Sequence, residues 1–368
     1  MLPGGKSLDP LSGCLYSQTR LCGKIPSGPK NYAKWNIPLP GLLNCWRILI
    51  ILMSLLMSDV PQASDSISHG IAVASKAQPA VPESLERRHF ANGVLRLTDL
   101  SYASSADDHA MTLDLYLPPK PDAVRPLIVY VHGGGWSAGH SRVSGAFEDF
   151  PAVLANFAAQ GYVVASVNYR LSGTAIYPAA LDDLRAAMQW LQAHHEQYAI
   201  DVNRVALWGG SAGAQLAALA ALDCSPQANI QKAGIKNPMC ATVLVSWFGL
   251  FDFADVLGRP DFAAIDQAAR QFLGCPGKPC PTQRVRDASP ISHFADLPTL
   301  LIHGTADRVV PWQQSQQMAS ALERQQGQVE LLLLPDVGHS FVGRDHAATQ
   351  AANYRALQVT ERFLADHL

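Results

Sequence analysis

The chain has 368 residues, of which 48% are hydrophobic and 16% charged, with a formal net charge of −2 at pH 7. Such a balance supports a large buried core and excludes a disordered or fibrous chain.

The first 47 residues differ in kind from the rest. Lys6, Arg20, Lys24, Lys30, Lys34 and Arg47 stand against a single acid, Asp9, among many Gly, Pro and Ser. The apolar run ILIILMSLLM follows at 48–57. A basic flank before about ten apolar residues is the layout of an export signal, and the run is short for a bilayer span. Small residues suited to cleavage follow, around Gln62-Ala63 or Ala72-Val73-Ala74; an uncleaved anchor is the rival reading. The expected division is a basic extension and signal peptide over 1–63, a small, polar, proline-bearing linker over 64–85 and one domain over 86–368. Without residues 1–63 the body keeps 22 Lys and Arg against 28 Asp and Glu. A mildly acidic body argues against nucleic acid or anionic membrane surfaces as partners, which leaves the signal or anchor as the expected membrane contact.

Seven cysteines divide the same way. Cys14, Cys22 and Cys45 lie in the extension; Cys224, Cys240, Cys275 and Cys280 lie in the body. An even set in an exported protein suggests two bridges, and short loops favour Cys224 with Cys240 and Cys275 with Cys280 among three connectivities. The close C-x-x-C pairs of a zinc site are absent. No phosphate loop or cofactor fingerprint appears either, so neither a metal nor a cofactor is expected.

Two strand-like stretches open the body, at 93–103 and 111–119, the second stopping at Pro118-Pro119 as an outer strand does. PLIVYV at 126–131 is continuously apolar, the mark of a central strand covered on both faces. It ends in His132-Gly133-Gly134-Gly135-Trp136, where bare backbone N–H groups can meet an approaching oxygen. A helix over 147–160 and a buried strand over 162–170 follow. Pro178 then opens a helix whose Asp182 and Asp183 read as a solvated face, with His194 and His195 at its end as dipole partners or surface residues.

The apolar run Val205 to Trp208 turns at Gly209-Gly210-Ser211-Ala212-Gly213 into the helix-forming QLAALAAL of 215–222. G-x-S-x-G between strand and helix is a nucleophile elbow: a strained serine with its hydroxyl aimed above the sheet. The Ala212 N–H then lies at a helix start, where unpaired donors favour an oxyanion.

A strand and aromatic cluster follow at 242–253, whose Trp247, Phe248, Phe251 and Phe253 are pocket candidates or core. From 254 to 287 no clean period appears, and the segment reads as an insertion beside the site. A buried strand with Asp307 just beyond it, a helix over 312–326, a strand ending in a loop with His339, and a final helix from 347 complete the chain. Strands alternating with helices predict an α/β fold with a mostly parallel sheet and helices on both faces. Ligands then bind past the carboxyl ends of the strands.

A serine hydroxyl needs a base, and the base needs an acid to hold its ring. The order Ser211, Asp307, His339 supplies all three. His293 and His303 are the rival bases, His303 reading as a core residue; Asp252 and Asp336 are the rival acids.

Together, HGGGW, GGSAG, DASPISH (287–293), HGTADRVVP and PDVGHSF resemble the α/β-hydrolase esterases related to hormone-sensitive lipase, particularly the bacterial branch with feruloyl and acetylxylan esterases. The resemblance covers about residues 90–368. It implies Gly133 and Gly134 as oxyanion donors beside Ala212, and an acyl-enzyme on Ser211 hydrolysed by water that His339 activates. Gly210 departs from the pattern, since many relatives carry Asp or Glu there. The expected activity is serine carboxylester hydrolysis of short acyl or aromatic esters, with carbohydrate esters a candidate class. Amide, arylformamide or peptide hydrolysis on the same triad is the alternative, and a catalytically dead binding module would lack one of these elements.

Overall fold

The computed structural model describes residues 72–73, 87–104, 110–120, 123–224 and 239–368. The expected extension and signal peptide lie outside them. Of the expected linker, only Ala72–Val73 are described, a two-residue strand (β1) antiparallel to the end of β3. Among the described residues no helix is long and apolar enough to cross a membrane.

Among the described residues ten strands form one sheet: β1, β2 (Arg87–His89), β3 (Leu95–Ser104), β4 (Ala110–Leu117), β5 (Arg125–Val131), β6 (Val163–Val167), β7 (Ile200–Gly210), β8 (Val243–Trp247), β9 (Thr299–Gly304) and β10 (Val329–Leu334). Their order is β1-β3-β4-β6-β5-β7-β8-β9-β10, with β2 beside β3. From β6 to β10 every pairing is parallel; β3 and β4 join antiparallel. This is the α/β-hydrolase architecture expected from the sequence. Strands β6, β8 and β9 are buried at every position, which is why they read as unbroken apolar runs.

Helices cover both faces. α1 (Phe150–Ala159) starts at Asp149, whose side chain accepts from the Ala152 N–H at 3.0 Å. α2 (Ala179–Ala193) buries Leu181, Leu184, Met188 and Leu191, an i, i+3, i+4 stripe. α3 (Ala212–Leu222) is buried at all eleven positions, so it is apolar all round except at Gln215. The insertion is helical, which its sequence concealed: α4 (Ala263–Phe272) and α5 (Thr282–Ala288) occupy it. Ile265, Ala269 and Phe272 of α4 are buried, one i, i+4, i+7 stripe that is short among the surrounding Gly and Pro. α6 (Gln313–Arg324) and α7 (His346–His367) complete the set.

Asp183 corrects the solvated-face expectation. It is fully buried and accepts from the Arg170 backbone N–H at 2.7 Å and from its guanidinium at 3.0 Å. Burial raises the carboxyl's pKa, and those bonds oppose the rise.

Strand β5 leads leftward to β6, whereas β7 and its successors run to the other side of β5. The order therefore reverses between β5 and β7, where a crevice opens beyond the strand ends. HGGG leaves β5 and Ser211 leaves β7 at that crevice.

Candidate active site

Ser211 takes φ 55° and ψ −121°, a strained backbone for a residue with a Cβ. Its N–H donates to the Trp247 carbonyl at 2.9 Å, which anchors the bend to β8. Glycine is required around it because backbones nearly touch. A Cβ on Gly213 would run into the Val131 and His132 carbonyls, and one on Gly209 into the Gly213 backbone. Gly210 is different: the atoms nearest a Cβ there would be those of the Phe248 ring, at 3.3 Å, and the Tyr130 hydroxyl, at 3.6 Å.

The glycine loop after β5 lies directly against this elbow. A Cβ on Gly133 would stand 3.3 Å from Ser211 Cβ. His132, which is buried, holds the loop: its ring stacks on Tyr169 at 4.2 Å, and its Nδ1–H donates to the Gly133 carbonyl at 2.7 Å. Burial depresses its pKa to about 4, partly offset by that hydrogen bond, so the ring stays neutral near pH 7. The Tyr169 hydroxyl donates to the His132 carbonyl at 2.9 Å. Ala212 begins α3, so its N–H has no intrahelical acceptor.

Trp136 turns back under the loop with φ 58°. Its indole N–H donates to Gln215 Oε1 at 2.9 Å, and Gln215 Nε2 donates to the Ala288 carbonyl at 2.8 Å. One buried amide thus joins the glycine loop, the helix after Ser211 and the insertion. The Trp136 ring stacks on Phe272 of α4 at 4.7 Å, and Ala268 of α4 would lie 3.6 Å from a Cβ on Gly135. The expected insertion beside the site therefore packs on the glycine loop.

On the other side, His339 Nε2 lies 3.0 Å from Ser211 Oγ and its Nδ1 lies 2.7 Å from Asp307 Oδ2. The carboxylate can only accept, so Nδ1 carries the proton and Nε2 is free to accept the serine's. Asp307 is buried at 6% exposure. Burial would raise its pKa, but His339, His303 and their hydrogen bonds hold it far below the carboxylate range.

The His339 loop is shaped by three residues at positive φ, Asp336 at 57°, Ser340 at 59° and Phe341 at 60°. Such conformations cost roughly 1–2 kcal/mol each. Phe341 is fully buried, edge-on to Trp247 at 5.2 Å and to Phe248 at 4.7 Å. Burying a phenyl ring returns roughly 2–3 kcal/mol and each edge contact roughly 0.5–1.5, so packing offsets most of the strain and His339 remains at the crevice.

The rivals fall away from this centre. Asp252 accepts from Ala254 N in its own turn at 2.9 Å, and the Asp336 side chain contributes nothing to His339's bonding. His293 pairs with Asp223 at 3.6 Å and with the Asp287 carbonyl. His303 is core, as read from sequence, yet it bonds Asp307 as well. Of the aromatic pocket candidates, Trp247, Phe251 and Phe253 are fully buried core. Phe248 meets the His339 ring edge-on at 4.9 Å. Sequence reasoning missed Gln215, although a lone amide in an otherwise apolar helix was a usable signal. Both body cysteine pairs are bonded, with Cα–Cα distances of 5.7 Å for Cys224–Cys240 and 5.1 Å for Cys275–Cys280. Among the described residues no group of His, Cys, Asp and Glu could hold a metal ion.

The sequence pattern of the BD-FAE family matches residues 113–322, more than half of the chain. Esterase LipC of Mycobacterium tuberculosis is 31% identical over 250 residues, covering 66% of this chain and 60% of that protein. The probable carboxylic ester hydrolase LipM of the same organism is 29% identical over 276 residues, 73% of this chain and 60% of LipM. The chain thus spans about 60% of the length of these curated relatives. Among solved structures, propionate-bound Thermogutta terrifontis esterase 2 superposes with a TM-score of 0.55 at 23% identity, covering 78% of this chain and 96% of its own. A truncated carbohydrate esterase from gut microbiota gives 0.54 at 24%, covering 73% and 99%. At these identities the likeness establishes a shared fold.

Proposed function

The chain belongs to the BD-FAE family of hormone-sensitive-lipase-like α/β-hydrolases, and on that footing we propose that it is a serine carboxylester hydrolase working through an acyl-enzyme. The observation that carries this reading is the unbroken run of hydrogen bonds from Ser211 Oγ through His339 to Asp307. His339 takes the proton of Ser211 as its oxygen attacks the ester carbonyl. The Gly133, Gly134 and Ala212 N–H groups stabilise the oxyanion, and Asp307 stabilises the imidazolium. The alcohol leaves with the proton from His339, and a water activated by the same ring then hydrolyses the acyl-serine.

The substrates are short acyl or aromatic esters, including esters of carbohydrates. The names of LipC and LipM support ester hydrolysis, and that of the gut carbohydrate esterase supports esters of carbohydrates. The test is a panel of p-nitrophenyl acetate, butyrate and octanoate, methyl ferulate, acetylated xylan and N-formylkynurenine, with Ser211→Ala in parallel. Ester turnover should fall by roughly 10⁴–10⁶ in the variant. Turnover of the formamide alone would establish an amidase; full activity in Ser211→Ala would remove Ser211 from the mechanism.

The same reading extends to an exported protein, cleaved from its signal or anchored by it. Support comes from the basic and apolar layout of residues 1–57 and the two bonded cysteine pairs. Free-thiol titration of protein recovered from the native host distinguishes bridged from reduced cysteines.

A further inference from the structure

The second imidazole on Asp307 has no part in the reaction just described. His303, the penultimate residue of β9, is fully buried and lies four residues before Asp307. Its Nε2 lies 3.1 Å from Asp307 Oδ2 and 3.2 Å from the Val310 carbonyl, and its Nδ1 lies 2.7 Å from Ser315 Oγ on α6. Both neighbours of Nε2 are acceptors, so the proton is there and the Ser315 hydroxyl donates to Nδ1. On the other carboxylate oxygen, Asp307 Oδ1 accepts the Val309 and Val310 N–H groups at 2.8 and 2.9 Å. Asp307 therefore receives four donors, and two of them, His303 and His339, share Oδ2.

We propose that His303, oriented by Ser315, is a positioning residue: its Nε2–H fixes the Asp307 carboxylate and draws off part of the charge that the carboxylate directs at His339. The inference rests on the serine-hydrolase reading above. An imidazolium at His339 is favoured by the negative charge that faces it. Sharing that oxygen with His303 weakens the pull on the imidazolium. The titratable groups whose charge acts on Asp307 are His339 and His303. Beside His339 itself the facing side chains are Ser211, Asp307 and the uncharged ring of Phe248. No other charge among these contacts competes with the effect.

The experiment is the pH profile of kcat/KM on p-nitrophenyl acetate for the wild type, His303→Met, His303→Gln and Ser315→Ala. Met removes the donor at similar volume; Gln restores an N–H near the position of Nε2. The acid limb should move up by about one pH unit in His303→Met, an activity loss of about tenfold well below the limb. KM should be unchanged, and His303→Gln should return the limb to within a few tenths of a unit. Ser315→Ala should move it in the same direction by less, and carries the test where His303→Met does not fold. A lowered plateau with the limb in place would reduce His303 to packing and overturn the proposal. An inert wild type across the whole ester panel would instead sink the hydrolase reading, and this inference with it.

Discussion

The two halves of the site are made of different material. At the crevice between β5 and β7, the proposed oxyanion donors are the backbone N–H groups of Gly133, Gly134 and Ala212, and Gly209 and Gly213 let strand and helix approach. Beyond β9 and β10 it belongs to side chains, in the file Ser315, His303, Asp307, His339. A backbone half is set by what is missing, since a Cβ added at Gly133, Gly134, Gly209 or Gly213 collides with a carbonyl. The side-chain half is set by which proton sits on which nitrogen. The first should therefore fail through folding, the second through rate.

The largest effect sharpens that contrast from the side-chain half. Asp307→Asn keeps the volume but offers His339 an amide that can donate, which turns the ring to the wrong tautomer. Its kcat on p-nitrophenyl acetate should fall by roughly 10³–10⁴ while KM stays close to wild type. Its stability should change with pH in a defined sense. The folded protein holds the Asp307 carboxyl below its ordinary value, so its contribution is present above about pH 5 and is lost as pH falls below about 4. Thermal unfolding from pH 7 to pH 3 should accordingly decline less steeply in Asp307→Asn than in wild type.

The backbone half is tested next. Gly213→Ala drives a methyl into the Val131 and His132 carbonyls and should cost about 3 kcal/mol in urea unfolding. Gly210→Ala comes nearest to the Phe248 ring and the Tyr130 hydroxyl; it should cost less than about 1 kcal/mol and keep activity within a few-fold. Equal costs for the two would break the argument that close backbone approach, rather than the strain at Ser211, requires glycine here.

A smaller effect than that of Gly213→Ala lies where the halves meet the insertion. Gln215→Met leaves the Trp136 indole N–H and the Ala288 carbonyl without their partner. It should destabilise by about 2 kcal/mol. It should also lower kcat by roughly tenfold through the glycine loop, read as a kcat change at constant KM. Loss of stability with kcat intact would make the bridge structural alone.

The legible parts of this chain were those in which a local pattern carries its own physical reason. Fully buried strands read as apolar runs because both faces need covering, and Ser211 was visible because its bend demands glycine on both sides. Asp307 and His339 were visible as loop residues after the last two strands. The helices of the insertion went unread because α4 turns only three residues inward, between proline and glycine. Asp183 was misread because its partner, Arg170, comes from a different element, the loop after β6.

By itself, the sequence determined the alternation of strand and helix, the glycine turns and the polar residues available past each strand end. These depend on backbone sterics and hydrophobic periodicity, which act over a few residues. Only the tertiary structure decided which polar groups share a proton. The 2.7 Å bond from His339 to Asp307 joins residues 32 apart, and the 3.0 Å contact with Ser211 joins residues 128 apart. His303 is the sharpest case. Its sequence neighbourhood is that of a core residue, and its role at Asp307 depends on the turn after β9 bringing the carboxylate back onto its ring. Hydrogen bonds act at about 3 Å, and only a folded sheet brings these positions that close.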